Sequence, residues 1–196
     1  MEIVEEPGGL TLLPPIATAD AVEAWTDGDV TADDPRLELL MRGASDAVRR
    51  RAGWHIAPVI RDTVAITDHY GGGRLDVLVP SGRVRAVSAV RVDGRPVSGY
   101  AWDESGAVWA GHLSSGPHRI EVDLEHGFHV SEVPDLASVV VQVAALAVSS
   151  PKGATMERAG QVSITWAQTS VGVAGGLALL DRDLAIVDAY RLGGAP

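Results

Sequence analysis

The chain has 196 residues, is 46% hydrophobic and carries a formal net charge of −10 at pH 7, which fits one domain, or one domain with a sizeable insertion. Having no cysteine, it is excluded from disulfide frameworks, thiolate zinc sites and cysteine nucleophiles. Lys152 is the only lysine, so 15 of the 16 basic residues are arginine, and so acidic a balance speaks against gripping nucleic-acid phosphates, which needs a clustered basic face.

The opening "MEIVEEPGGL" lacks the basic start and apolar core of a secretory signal. The longest apolar run, near residues 139–148, falls short of the roughly 20 residues that cross a bilayer. The expectation is a soluble chain made in the cytoplasm.

Residues 1–17, with Pro7, Gly8, Gly9, Pro14 and Pro15, read as an extended arm. "TADAVEAW" follows as a short helix with Thr18 at its N-cap and Ala21, Val22 and Trp25 on one face. After the polar "DGDVTADD", a second helix is predicted with Asp34 as cap and Pro35 at its first position. Leu37, Met41, Ala44 and Val48 recur at helical spacing, and Glu38 sits four residues before Arg42. Arg49, Arg50 and Arg51 complement the negative end of the helix dipole. Gly53 suits the left-handed residue beyond a helix, and Trp54 the apolar contact that accompanies it, which makes the pair a structural corner.

From there the period changes. Residues 56–129 alternate as a mostly antiparallel β module, with a turn at "GGG" (71–73) and further turn signals at Pro80-Ser81-Gly82, Asp93-Gly94 and Ser105-Gly106. Helix returns at "VPDLASVVVQVAALAVSS", where only Asp135, Ser138, Gln142 and Ser149 form a polar stripe. A helix apolar nearly all round must be buried nearly all round, in a core or against a neighbouring subunit. Residues 150–160 read as a loop and 161–168 as a strand without a local partner, alternating Val162, Ile164 and Trp166. "LALLDRDLAIVDAYRL" closes the chain as a helix with Leu177, Leu180, Leu184 and Val187 on one face. The fold class is therefore α+β: a small helical bundle from 18–55 and 130–196, carrying the β module as an insertion.

The search for chemistry is mostly negative. His126 and His129 in "HGFHV" have the spacing of a loop chelate, with Glu125 or Glu132 as added oxygen ligands. Gly127 breaks any helix that would align the two rings, and no third ligand follows at a recognisable interval. His55 reads as a corner residue bonded to backbone. "PSG" at 80–82 is not a nucleophile elbow, and "YGGG" and "VAGG" lack the lysine and spacing of a phosphate loop. Asp103 and Glu104 are adjacent on a strand and point to opposite faces. Trp102 and Trp109 fit cross-strand packing in a hairpin. The expectation is no catalytic residue, no cofactor and no metal.

The order of segments carries more. A helix ending "AVRRRAGWHIAPV", a β insertion with "YAWDESGAVWA", the corner "HGF" before "VPDLASVVVQVAALAV", then "QVSITWA" and "LLDRDLAIVDAYRL" resembles the head-to-tail adaptor (connector) proteins of long-tailed bacteriophages. The likeness covers about residues 18–192 and departs at "TDHYGGGRLD" and at 150–160. The resemblance implies a helical bundle with a β module after the second helix and no catalytic residues. It also implies a virion protein that forms a ring, usually of twelve subunits, beneath the portal protein. Such a ring extends the DNA channel and offers a platform to the lower neck (stopper) or tail, with no membrane involved. An acidic chain would let DNA slide through without sticking. On this reading Val139, Val143, Val162, Ile164 and Trp166 are expected at subunit contacts, because an all-apolar helix and a lone strand both want neighbours. Tyr190, Arg191 and Leu192, before a flexible tail, are expected to meet the portal. The alternatives are another neck or tail part (a stopper or tail terminator, mostly β and without paired long helices) and a small metal-dependent enzyme using His126 and His129.

Overall fold

The computed structural model describes residues 13–149, 156–159, 162–165, 168–170, 173–174, 177 and 179–193. Four helices, α1 (Ala19–Trp25), α2 (Leu37–Ala52), α3 (Pro134–Ser149) and α4 (Asp181–Asp188), form the bundle. Between α2 and α3 the chain builds a five-stranded antiparallel sheet from β1 (Ile60–Leu78), β2 (Val84–Val92), β3 (Arg95–Pro96), β4 (Ala101–Trp102) and β5 (Ala107–His126). The fold is α+β. Two short hairpins, β6 (Met156–Ala159) with β7 (Val162–Thr165) and β8 (Gln168–Ser170) with β9 (Val173–Ala174), separate α3 from α4.

In the bundle, α1 starts where the Thr18 hydroxyl accepts from the Ala21 N–H at 3.3 Å. Asp34 acts two residues ahead of Arg36, the N-cap of α2, and does not cap the helix directly: its carboxylate accepts from the Arg36 N–H at 2.8 Å and from the Arg36 guanidinium, and its carbonyl accepts from the Leu37 N–H. This pairing holds the carboxyl down at about 2. α2 ends at Gly53, whose φ of +83° is open to glycine and strained for other residues. The apolar surface of α3 packs against α1, α2 and α4 of its own chain. Leu136, Val139, Val140, Val143 and Ala144 are all buried there, with Leu37, Met41, Val48 and Val187 in the same core. Each large side chain so buried contributes about 1.5–3 kcal/mol. Val139 and Val143 are thus 1% and 4% exposed within one subunit, which corrects their assignment to a subunit contact: the bundle itself supplies the neighbours that α3 requires.

The arm reading is also corrected where residues are described. Ile16 is fully buried, its N–H donates to Ser45 Oγ at 3.0 Å, and Ala17 joins the same core. Residues 1–12 lie outside the described part.

The β module departs from its sequence reading at the glycines. Gly71, Gly72 and Gly73 are not a turn between two strands: β1 runs through them as one strand of 19 residues, paired along its length with the 20 residues of β5. Extended strands of that length would span about 60 Å. Yet the two ends of β5 meet at Val84, which pairs with His126 at one end and donates its N–H to the Glu104 carbonyl beside the other. The ribbon therefore curls over itself, enclosing Leu75, Val77, Val84, Val90, Val108, Ile120, Val122 and Leu124 in a core of its own. The bend falls where glycines occupy both strands, with positive φ at Gly72, Gly73 and Gly116 and a register shift between Arg74 and Leu75.

Two further corrections concern the last third. The strand expected at 161–168 is not alone: Val162–Thr165 pairs antiparallel with Met156–Ala159, inside the stretch read as a loop. Trp166 and residues 150–155 lie outside the described residues. The final helix is shorter than its apolar period, because the Asp183 carboxylate accepts from the Leu180 N–H at 2.9 Å and fixes the start at Asp181. Leu177 precedes α4 and rests on α2, where a Cβ on Gly43 would come within 2.4 Å of its Cδ1.

Candidate functional site

The functional features converge on the corner where α2 hands over to β1 and β5 hands over to α3. Its frame is Arg49, 6% exposed, whose guanidinium donates to the carbonyls of Pro14, His55 and Ala57 at 2.6, 3.0 and 2.7 Å. One arginine thus ties the segment before α1 to the chain leaving α2. Asp46 is its carboxylate partner, 3.4 Å away and half exposed.

Trp54 is 8% exposed and reaches further. Its ring lies 5.4 Å from His55 and 6.0 Å from Phe128, and a Cβ on Gly82 would stand 2.9 Å from Trp54 Cζ2. Its indole N–H donates to the Tyr190 carbonyl at 2.7 Å, while the Leu192 N–H donates to the Ala52 carbonyl. Gly53 and Trp54 therefore do more than end a helix: they dock the C-terminal segment onto the corner.

That docking corrects the expected portal contact in part. Tyr190 and Leu192 pack against the bundle core, and the Tyr190 hydroxyl donates to the Asp135 carboxylate at 2.9 Å. Only the Arg191 side chain is well exposed among the three, 3.9 Å from Asp188. Burial, with the Asp135 charge beside it, pushes the Tyr190 phenol up to about 12. In an alkaline absorbance titration Tyr190 should ionise near 12, and Tyr190→Phe should remove that step. Stability should fall by about 1 kcal/mol.

His126 and His129 do not converge. His126 ends β5 and is 4% exposed, whereas His129 is exposed and begins a single helical turn (Val130–Glu132), its N–H bound by the Glu132 carboxylate at 2.6 Å. The chelate reading is thereby corrected: the backbone turn at Gly127, φ +103°, sends one ring inward and leaves the other in solvent. No cluster of three or more histidine, aspartate or glutamate side chains placed to hold a metal ion occurs among the described residues.

The partner of His126 is His55, 71 residues earlier. Their ring centres are 4.3 Å apart in an edge-on arrangement. Two imidazoles sharing a tetrahedral metal through bonds of about 2.0–2.1 Å would hold their centres about 5 Å apart, so this is ring packing. Both His126 nitrogens are buried without a hydrogen-bond partner among the described residues, while the His55 ring faces backbone acceptors of His126 and Pro58. Burial, then the neighbouring His126, lowers His55 to about 4, and burial lowers His126. Sequence spacing carries no sign of this pair.

The outer face of β5 is charged and internally matched. Arg91 makes a two-pronged bond to Asp123 at 2.6 Å, and Glu121 receives Arg91 and Arg119 at 3.1 and 2.9 Å. Arg61 pairs with Glu125 at 2.9 Å. The carboxylates of Glu121 and Asp123 are held down by these arginines. With its arginines so occupied, this face is poorly suited to tracking phosphates.

No protein-family model matches the chain, and no curated protein matches it. No described helix is long and apolar enough to cross a membrane.

Proposed function

We propose that the chain is a structural virion protein, a head-to-tail adaptor that forms a ring below a bacteriophage portal. One observation carries the reading: a curled antiparallel β module inserted after the second helix of a small helical bundle, the arrangement that the adaptor resemblance implies. The net charge of −10 supports a channel wall that lets DNA pass without adhering. In this role the portal binds one end of the ring and the stopper or tail the other. With Val139 and Val143 inside the bundle, the β6–β7 hairpin is the remaining candidate from the sequence reading for contact between subunits, and Arg191 for the portal.

The test is electron microscopy of phage particles lacking this protein. Filled or leaking heads without tails are expected. Normal, tailed, infectious particles would overturn the proposal.

A further inference from the structure

The described residues form two separate hydrophobic cores, one in the bundle and one in the β module. Between them lies a joint built largely of polar and aromatic groups. The Phe128 N–H donates to the Ile56 carbonyl and the Gly127 N–H to the Arg83 carbonyl, each at 2.8 Å. Arg85 of β2 donates to the Gly127 carbonyl at 2.8 Å and pairs with Glu132. At its centre the His55 ring, on the bundle side, bears edge-on against the His126 ring at the end of β5. The fit is tight, since a Cβ on Gly127 would stand 2.5 Å from His55 Nε2 and 2.9 Å from the Pro58 carbonyl oxygen.

We propose that the His55–His126 pair is a proton-sensitive latch between the β module and the helical bundle. With both rings neutral the joint is closed; a proton on either ring opens it, while each unit keeps its own core. Three observations carry this: the face-to-edge contact between rings from the two units, the two buried His126 ring nitrogens that no group among the described residues satisfies, and the separateness of the two cores.

The charges around the pair set the direction. Arg49 of α2 lies beside His55 and disfavours a second cation there, with Asp46 offsetting it only from the half-exposed side. Asp62 of β1 is the carboxylate that acts on His126, and its charge only partly offsets that ring's burial. Arg85 and Glu132 meet at the rim and neutralise one another. Because both histidines titrate below the ordinary value of about 6.5 in the folded chain, the latch contributes fully above that pH. It is lost as pH falls toward about 4, where His55 takes its proton.

Amide hydrogen exchange on the full chain, read residue by residue as protection factors corrected for intrinsic rates, tests the latch. Gly127 and Phe128 report the joint; Val122 and Val140 report the two cores. Between about pH 7 and pH 4 the joint amides should lose protection on the order of a hundred-fold more than the core amides, the equivalent of the lowering at His55. Parallel loss at joint and cores, or a joint that stays protected at the acid end, overturns the proposal. Replacing both rings, His55→Leu with His126→Leu, should make the joint's protection independent of pH, and an unchanged pH dependence in that double variant also overturns it. Should the variant fail to fold, the comparison within the native chain decides alone.

Discussion

Trp54→Ala should lower the free energy of unfolding by about 3–5 kcal/mol, the usual cost of emptying a buried aromatic site. Against a typical total of about 5–15 kcal/mol, that is enough to leave much of the population unfolded under mild denaturant. The reason is position as much as size. The indole touches Phe128, lies over Gly82 of the β module and holds the Tyr190 carbonyl, so its removal opens a cavity that no single element can collapse into. Trp54→Phe separates the two contributions: it keeps most of the apolar contact and forfeits the bond to Tyr190, for a loss nearer 1 kcal/mol. His55→Ala should cost less than Trp54→Ala, since it empties a smaller site. Urea unfolding monitored by circular dichroism distinguishes these cases. A Trp54→Ala chain as stable as the native one would show that the corner is held by something other than this ring.

Local signals in the sequence were legible and distant ones were not. The end of α2 could be read at Gly53 because an arginine-rich last turn, a glycine and a large apolar residue are all local consequences of helix termination. The order of helices around an inserted antiparallel sheet was legible for a similar reason, since period 3.6 gives way to period 2 near Ile60 and returns near Pro134. Gly71, Gly72 and Gly73 misled because a glycine run marks a sharp change of direction without saying whether the strand stops. Here it bends and continues, stabilised by a partner strand about 40 residues later. Residues 156–165 misled in the opposite sense: Met156–Ala159 shows little alternation, so its pairing with Val162–Thr165 was invisible and the later strand looked solitary. The His55–His126 contact and the Trp54–Tyr190 bond span 71 and 136 residues, and neither leaves any trace in spacing. Nor could the apolar surface of α3 say whether its own chain or another would cover it; the bundle does so.

Arg49→Met should be nearly as costly as Trp54→Ala, at about 3–5 kcal/mol, although the methionine stem replaces most of the lost volume. Three buried or half-buried carbonyls, from Pro14, His55 and Ala57, accept from this guanidinium. Each left without a donor costs about 1–3 kcal/mol, and the reach of the chain gives water poor access to replace them. Burial lowers the Arg49 pKa while Asp46 only partly offsets it, so the charge is held here for its donors and not for an ion pair. That makes a specific contrast available. Asp46→Asn should change stability by less than about 1 kcal/mol, as for other exposed partners of an ion pair. Arg49→Lys should recover little, because an ammonium cannot serve three carbonyls fixed by a planar fork. The two variants also differ in what else they release: Arg49→Met frees the Pro14 carbonyl, and the Ile16 N–H held by Ser45 in the next turn of α2 should exchange faster with solvent. Equal losses from Asp46→Asn and Arg49→Met would show that the ion pair, and not the three carbonyls, is what Arg49 contributes.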